Sequence, residues 1–267
     1  MAAPPPPPHP VAARIFASYV RRLARRHFAA VHWNGGAGAD PGARRPQGPI
    51  LFVANHTNWW DGFLACLVTA RLGLDFQILM DAANLDRYPL FRRVGALPMH
   101  RDSPTRAWDD LAAAAAHLRR PAAALWVFPQ GARRPPAERI AGTERGAAQL
   151  SAWHDTPLTL WPVAFRYAYL GEQSPEAFAW LGKPLTLGGH EGRSVRGGER
   201  RAARRELAAR IELALEATVD ALDARLATED RTTMDLLLPG TPSINKRLDR
   251  LRHALGLLRG PFDPRNG

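Results

Sequence analysis

The sequence feature that most constrains the fold is a regular alternation of short apolar runs with helix-forming segments between residues 50 and 165. The short runs are rich in β-branched and aromatic residues, which predicts strands at ILFVA (50–54), FQILM (76–80), ALPM (96–99), AALWVF (123–128) and LTLWPVAF (158–165). Helices are predicted between these strands, at 59–72, 81–93, 104–119 and 143–153. Such alternation predicts an α/β fold, in which helices cover a mostly parallel sheet.

The region after this alternation is predicted to be irregular at first and then helical. Residues 171–198 are rich in glycine, which predicts irregular structure. A long helix is predicted over 199–227, where apolar residues recur at spacings of three and four: Leu207, Ile211, Leu215, Val219 and Leu222. Residues 228–267 are predicted to form a basic helical extension with an amphipathic helix at 244–259.

The N-terminal region is strongly basic, because no acidic residue precedes Asp40. Residues 1–10 form a low-complexity proline tract that is predicted to be disordered. Residues 11–33 predict an amphipathic helix, with apolar side chains on one side and arginines on the other. Two interpretations stay open from this pattern. The helix either packs on its own domain and exposes its arginines to water, or it lies on an anionic membrane surface.

Composition and charge exclude several kinds of site. The single cysteine, Cys66, excludes an intrachain disulfide and a multi-cysteine metal site. The nine histidines show no His-Glu-x-x-His spacing, so we expect no metal. The net charge is +11, yet no nucleic-acid-binding motif is present, so nucleic acid is not an expected partner. No apolar run reaches the roughly 18 residues of a membrane span, and no secretory pattern is present, so a cytoplasmic location is expected.

The segment NHTNWWDG (55–62) places a histidine and an aspartate at the exit of a predicted strand. On an ideal helix His56 and Asp61 would lie about 140° apart, so the two can meet only if His56 lies in the turn and Asp61 in the first helical turn. Thr57 or Asn58 would then cap the helix. Such a pair suits general-base catalysis, but a capping box with a purely structural role explains this segment alone equally simply. Tryptophans at such positions more often pack in the core than contact a substrate, and the alternative that one of the two lines a substrate channel stays open.

Four blocks in this order resemble the motifs of the glycerolipid (lysophospholipid) acyltransferases. NHTNWWD resembles the His-x4-Asp motif of that family, and GALPMHR (95–101) resembles its second block. FPQGARR (128–134) resembles the third block, usually Phe-Pro-Glu-Gly-Thr-Arg-Ser, and LTLWPVAF (158–165) resembles the fourth. The resemblance spans residues 50 to 165 and leaves out the proline tract and residues 171–267.

The resemblance implies an α/β acyltransferase that moves a fatty acyl group from acyl-CoA or acyl carrier protein to a hydroxyl. His56 would be the general base, and Asp61 would orient it. Arg101 and Arg133 match the arginines that hold the phosphate of a lysophospholipid or glycerol-phosphate acceptor, a task that suits guanidinium groups. The thioester is a co-substrate, and no further cofactor is expected.

One departure from the family motifs leaves the acceptor open. Gln130 stands where the family usually has the glutamate that is thought to contact a glycerol hydroxyl, while Gly131 matches the family. A substrate-binding Gln130 is compatible with a phosphorylated acceptor or with a neutral lipid or glycolipid. A different class of function also remains, that of a non-catalytic peripheral lipid-binding protein.

The predicted domain organisation follows from these features. Residues 48–227 are predicted to form the acyltransferase domain, preceded by the disordered tract 1–10 and a membrane-associated helix at 11–33. The protein is expected to be peripheral on the inner face of a membrane, with the acyl thioester, a lipid acceptor and an anionic lipid surface as partners.

Overall fold

The computed structural model describes residues 8–35, 49–140, 146–153, 157–187, 197–229 and 231–244, together with 248 and 252. Its strands are β1 (Ala30–Trp33), β2 (Ile50–Ala54), β3 (Asp75–Asp81), β4 (Ala96–Met99), β5 (Ala123–Val127), β6 (Leu158–Ala168), β7 (Glu176–Leu181), β8 (Leu185–Leu187) and β9 (Asp235–Pro239). They form one sheet in the order β4-β3-β5-β2-β6-β7-β1-β9, with β8 paired to β6. Strands β2 to β5 and the start of β6 pair in parallel, and β1 also pairs in parallel with β7. The prediction of a mostly parallel α/β sheet is therefore confirmed.

Helices cover both faces of the sheet. They are α1 (Pro10–His27), α2 (Asp61–Leu72), α3 (Ala82–Arg87), α4 (Leu90–Arg93), α5 (Pro104–His117), α6 (Gly146–Ala152) and α7 (Gly197–Ala227). Phe52 of β2 packs in a core cluster with α1 and α2, whereas Leu51 packs in a second cluster with α5, α6 and α7. Both faces of β2 are thus buried, which explains why its sequence is continuously apolar. Within the described residues, none of the helices combines the length and the apolar character that crossing a bilayer requires.

The prediction of irregular structure over 171–198 is wrong for part of that segment. It contains β7 and β8, and both pair antiparallel with β6. Alanine, glycine and glutamate weaken the local strand signal there, so the pairing with the long strand β6 decides the conformation. Residues 188–196 lie outside the described part of the chain.

The predictions for both ends of the chain also need correction. The helix predicted over 11–33 begins at Pro10 and ends at His27, because the next residues form β1 between β7 and β9. The extension 228–267 was predicted to be helical, yet Asp235–Pro239 form β9. The sheet therefore continues past the predicted domain bounds 48–227 on both sides. The proline tract up to residue 7, and the helix predicted at 244–259 except for three isolated residues, lie outside the described residues.

Candidate active site

A histidine–aspartate pair lies at the carboxyl end of β2, in the middle of the sheet. The structure places His56 in the turn after β2 and Asp61 at the first residue of α2, with 2.9 Å between His56 Nδ1 and Asp61 Oδ2. Open α/β sheets bind ligands at this edge, outside the carboxyl ends of the strands. The side chain of Asp61 is fully buried, whereas that of His56 is partly exposed.

The carboxylate of Asp61 organises the whole turn. Its Oδ2 also accepts hydrogen bonds from the backbone N–H groups of Thr57 at 2.7 Å and Asn58 at 2.8 Å. The predicted cap by Thr57 or Asn58 is not formed: Trp60 is the N-cap residue without a side-chain cap, and the Asn58 side chain instead accepts from the Trp60 N–H. The contact between the Asp61 carboxylate and the Asn58 N–H has the three-residue spacing of a capping box, although Asn58 is not the N-cap residue of α2. Asp61 therefore accepts hydrogen bonds from both the backbone of the turn and the ring of His56.

A buried tyrosine completes the surroundings of Asp61. The hydroxyl of Tyr167, on β6, donates to Asp61 Oδ1 at 2.7 Å. Burial, and then the charge of Asp61, raise the pKa of Tyr167 well above its usual value. Sequence reasoning missed this residue, because it lies 106 positions from Asp61 and just after the fourth block. The only indication of Tyr167 in the sequence was its position next to the predicted strand 158–165, which pairs with β2 in the structure.

The loop after β5 clamps the backbone of His56. The side-chain oxygen of Gln130 accepts from the His56 N–H at 2.9 Å, and the Arg134 N–H donates to the His56 carbonyl at 2.8 Å. The ring of Phe128 stacks on the imidazole, with 4.4 Å between ring centroids. Together these contacts fix the position and the tilt of His56.

The structure thus gives Gln130 a different place from the predicted one. Gln130 is only 8% exposed, and its side chain does not line the cavity described below. The tight turn from Phe128 to Gly131 directs this side chain toward β2 rather than outward. In this structure the Gln130 side chain therefore contacts the His56 backbone instead of lining the cavity, and its contact with a substrate stays a prediction.

The two predicted phosphate-binding arginines line the same cavity as His56. Arg101 follows β4, and its guanidinium donates to the carbonyl of Gly131. Gly131 adopts φ 68°, a left-handed conformation that favours glycine. Arg133 follows two residues later, and all three residues line the cavity together with His56. The predicted site is therefore assembled from the ends of β2, β4 and β5, with only Gln130 turned away.

The cavity in front of His56 is large and mostly apolar. Its volume is about 820 Å³. Aromatic and aliphatic side chains from α1, α2, β3 and α4 line much of it, among them Phe16, Phe63, Phe76, Ile78 and Phe91. Of the two tryptophans, Trp59 is exposed and lines the cavity, which is the alternative that the sequence left open for one of them. A cavity of this size and lining suits a long apolar ligand that carries a polar end.

Nucleophilic catalysis by the only cysteine is excluded by its environment. Cys66 is buried in α2, and burial raises its pKa to about 12. A thiol with such a pKa carries almost no thiolate at neutral pH. The described residues also contain no group of three or more His, Cys, Asp or Glu side chains that could hold a metal ion.

The role of Gln130 in holding His56 leads to a prediction about charge at this position. Gln130→Glu should keep the rate within a few-fold of wild type, because a carboxylate also accepts from the His56 N–H. Gln130→Leu has a similar volume but leaves that N–H unpaired, which costs about 1–3 kcal/mol and should lower kcat at least about ten-fold. Steady-state kinetics on both folded variants measure the difference. Equal activity of the leucine variant and wild type would contradict the clamp.

Comparison with known proteins gives one family match, which covers part of the chain. The acyltransferase family model matches residues 40–166 of the chain, a region that contains His56, Asp61, both arginines and the Gln130 loop. No curated protein sequence matches the chain significantly. Among solved structures, the 1-acyl-sn-glycerophosphate (LPA) acyltransferase PlsC from Thermotoga maritima is similar over 80% of each chain, with 17% sequence identity and a TM-score of 0.49. Residues 40–166 of this chain are therefore similar to the acyltransferase family.

Proposed function

We propose that the protein transfers a fatty acyl group from a thioester to a hydroxyl of a lysophospholipid or glycerol-phosphate acceptor. The observation that carries this proposal is the hydrogen-bonded Asp61–His56 pair, whose histidine lines a mostly apolar cavity together with Arg101 and Arg133. The donor is acyl-CoA or acyl carrier protein. The reaction needs no cofactor beyond this thioester and no metal.

The chemistry is a direct transfer with His56 as general base. Because Nδ1 is bound to Asp61, Nε2 is the nitrogen left for a substrate. Nε2 takes the proton of the acceptor hydroxyl while the hydroxyl oxygen attacks the thioester carbonyl. The C–S bond then breaks, and the imidazolium returns its proton to the departing sulfur. An ester and a free thiol result, and Asp61 stabilises the imidazolium in between.

The cavity lining supports a fatty acyl chain as the transferred group. Burying apolar chain surface against Phe63, Phe76 and Ile78 is favourable by about 25 cal/mol per Å². The chain would then lie between α2 and β3, and its thioester carbonyl would reach His56 at the carboxyl end of β2. A short polar acyl group would leave this surface in contact with water.

The two arginines of the cavity, and not Gln130, support a phosphorylated acceptor over a neutral one. The change from the usual glutamate to Gln130 raised the alternative of a neutral lipid or glycolipid. Because this side chain contacts the His56 backbone, its change carries no information about the acceptor. Arg101 and Arg133 line the cavity beside the base, where guanidinium groups suit a phosphate.

The arginines provide the test of the acceptor. Arg133→Gln and Arg101→Gln should each raise the KM for a phosphate-bearing acceptor by about ten- to a hundred-fold, because a charge-assisted hydrogen bond is lost. The KM for the thioester should change little. Arg210→Gln, an exposed arginine on α7, is the matched control and should behave as wild type.

A panel of acceptors completes this experiment. Thiol release from acyl-CoA is followed with lysophosphatidic acid, glycerol phosphate and neutral lipid or glycolipid hydroxyls. We expect transfer to the phosphorylated acceptors. Robust transfer to neutral acceptors alone would contradict the phosphorylated acceptor and leave acyl transfer intact. Lipid binding without thiol release from any donor would favour the non-catalytic alternative.

We also propose that α1 binds an anionic membrane on the inner leaflet. Its apolar side is divided: Val20 and Ala24 are buried against the core, whereas Val11, Ile15 and Tyr19 are exposed. Arg21, Arg22, Arg25 and Arg26 lie together along the same helix. Around the helix, Phe16 lies between the buried and the exposed apolar side chains, and it lines the cavity. Thus α1 both packs on its own domain and offers apolar and basic side chains beside the cavity, which suits lipid entry from a membrane.

Substitution of one exposed residue tests this membrane surface without disturbing the fold. Ile15→Asp should weaken sedimentation with anionic vesicles, and high salt should weaken sedimentation of the wild type as well. Leu213→Asp on α7 is the matched control, because Leu213 is 65% exposed and Ile15 is 66% exposed. Equal loss of sedimentation in the two variants, or none in Ile15→Asp, would contradict membrane binding through α1.

A further inference from the structure

Asp61 is held on both carboxylate oxygens, and the two sets of donors come from different parts of the chain. Oδ2 accepts from the turn of residues 56–58, whereas Oδ1 accepts from the hydroxyl of Tyr167 at 2.7 Å. Because the side chain of Asp61 is fully buried, water cannot replace a donor that is lost. Tyr167 lies just beyond the matched region 40–166 and does not line the cavity.

We infer that Tyr167 is a positioning residue for acyl transfer, which fixes the rotation of the Asp61 carboxylate and, through it, the orientation of His56. This inference rests on the proposed function. With Oδ1 bound to Tyr167, the plane of the carboxylate is set and Oδ2 faces Nδ1 of His56. Without that hydrogen bond, the carboxylate is held on Oδ2 alone, by the His56 ring and two backbone N–H groups, and it can rotate about its Cβ–Cγ bond.

The hydroxyl of Tyr167 is well placed for this task because its ring is held rigidly. Tyr167 pairs with Ala177 across β6 and β7. Its ring stacks on Phe28, with 5.8 Å between centroids, and Phe28 packs edge-on against Trp60, the N-cap residue of α2. The sheet and this aromatic stack therefore connect the tyrosine to the same helix end that carries Asp61.

The protonation state of Tyr167 also suits a permanent donor. Burial and the neighbouring carboxylate raise its pKa well above the ordinary value of 10.0. The hydroxyl therefore stays protonated at neutral pH, and it neither gives up nor takes up a proton during the reaction. Its contribution acts only through the hydrogen bond to Asp61.

A double-mutant cycle separates positioning from a general structural role. The proteins compared are wild type, Tyr167→Phe, Asp61→Asn and the double variant, with kcat and KM measured by thiol release. Tyr167→Phe keeps the ring and removes the hydroxyl, so kcat should fall by about ten- to a hundred-fold at unchanged KM for both substrates. In the Asp61→Asn background the same change should lower kcat by less than about three-fold, because the carboxylate on which it acts is already gone.

The control variant is Tyr169→Phe. Tyr169 follows β6, is 70% exposed, and should tolerate the loss of its hydroxyl without a change in kcat. A wild-type kcat in Tyr167→Phe, or an equal loss in both backgrounds, would overturn the positioning role while leaving acyl transfer intact. Failure of the proposed function would look different from failure of the positioning role, because the wild type itself would then release no thiol with any acceptor.

Discussion

Replacement of His56 by alanine should lower kcat by about 10²–10⁴-fold, the usual contribution of a general base. The side chain is partly exposed at the edge of the cavity, so its removal should leave the fold unchanged. Circular dichroism and thermal unfolding of the purified variant check the fold, and thiol release from acyl-CoA gives the rate.

A second variant separates the base from the hydrogen bond to Asp61. In His56→Asn, the side-chain amide can still donate to Asp61 Oδ2 from a position close to that of Nδ1, but it cannot accept a proton from a substrate. We therefore expect His56→Asn to be as inactive as His56→Ala. Substantial activity in the asparagine variant would mean that His56 acts by holding Asp61 and not as a base.

Replacement of Asp61 by asparagine should have the next largest effect, a loss in kcat on the order of 10²-fold or more. The amide has nearly the same shape, but it lacks the negative charge that stabilises the imidazolium, and its single carbonyl oxygen cannot accept on both the His56 side and the Tyr167 side. The loss should therefore fall on kcat and leave the KM for both substrates nearly unchanged. Steady-state kinetics at saturating thioester measure it.

The protein offers a matched control for this substitution. Asp110 on α5 accepts from His100 Nδ1 at 2.8 Å and from the His100 N–H at 2.7 Å, a geometry close to that of Asp61 with His56. His100 does not line the cavity, although the next residue, Arg101, does. Asp110→Asn should thus affect the KM of the acceptor at most. An equal fall in kcat in both variants would mean that any His–Asp pair in this fold is simply structural.

The first motif was predictable because its geometry is local. A spacing of five residues between His56 and Asp61, together with an apolar run on each side, requires a turn followed by a helix. The structure has this arrangement, and it brings Arg101 and Arg133 to the same cavity. The parallel pairing of β2 with β5, and of β3 with β4 and β5, places these strand ends side by side.

The contacts of Tyr167 and Gln130 were not predictable, because they depend on the register between distant strands. Tyr167 reaches Asp61 only through the position of β6 beside β2. The direction of the Gln130 side chain is set by the turn after β5, which the residue type alone does not reveal. A motif resemblance predicts which residue type stands at each position. It does not predict whether a side chain faces the cavity or contacts other residues of the protein.

The elements that were missed are short strands whose stability comes from pairing. β7 and β8 have weak strand composition but pair with β6, the longest strand. Similarly, β1 and β9 pair with each other at the far side of the sheet. For such segments tertiary contacts outweigh local propensity. The helical periodicity near residue 30 therefore predicted a helix up to residue 33, although α1 ends at His27.

Formation of the acylated product is the direct test of acyl transfer with His56 as the general base. Purified protein is incubated with acyl-CoA and lysophosphatidic acid, in parallel with a reaction supplied with acyl carrier protein as donor, and the lipids are identified by mass spectrometry. The wild type should form the diacyl product from at least one donor, and His56→Ala and His56→Asn should form it at least about a hundred-fold more slowly. Product formed at the wild-type rate by folded His56→Ala, or no acylated acceptor formed by the wild type with either donor, would contradict this mechanism.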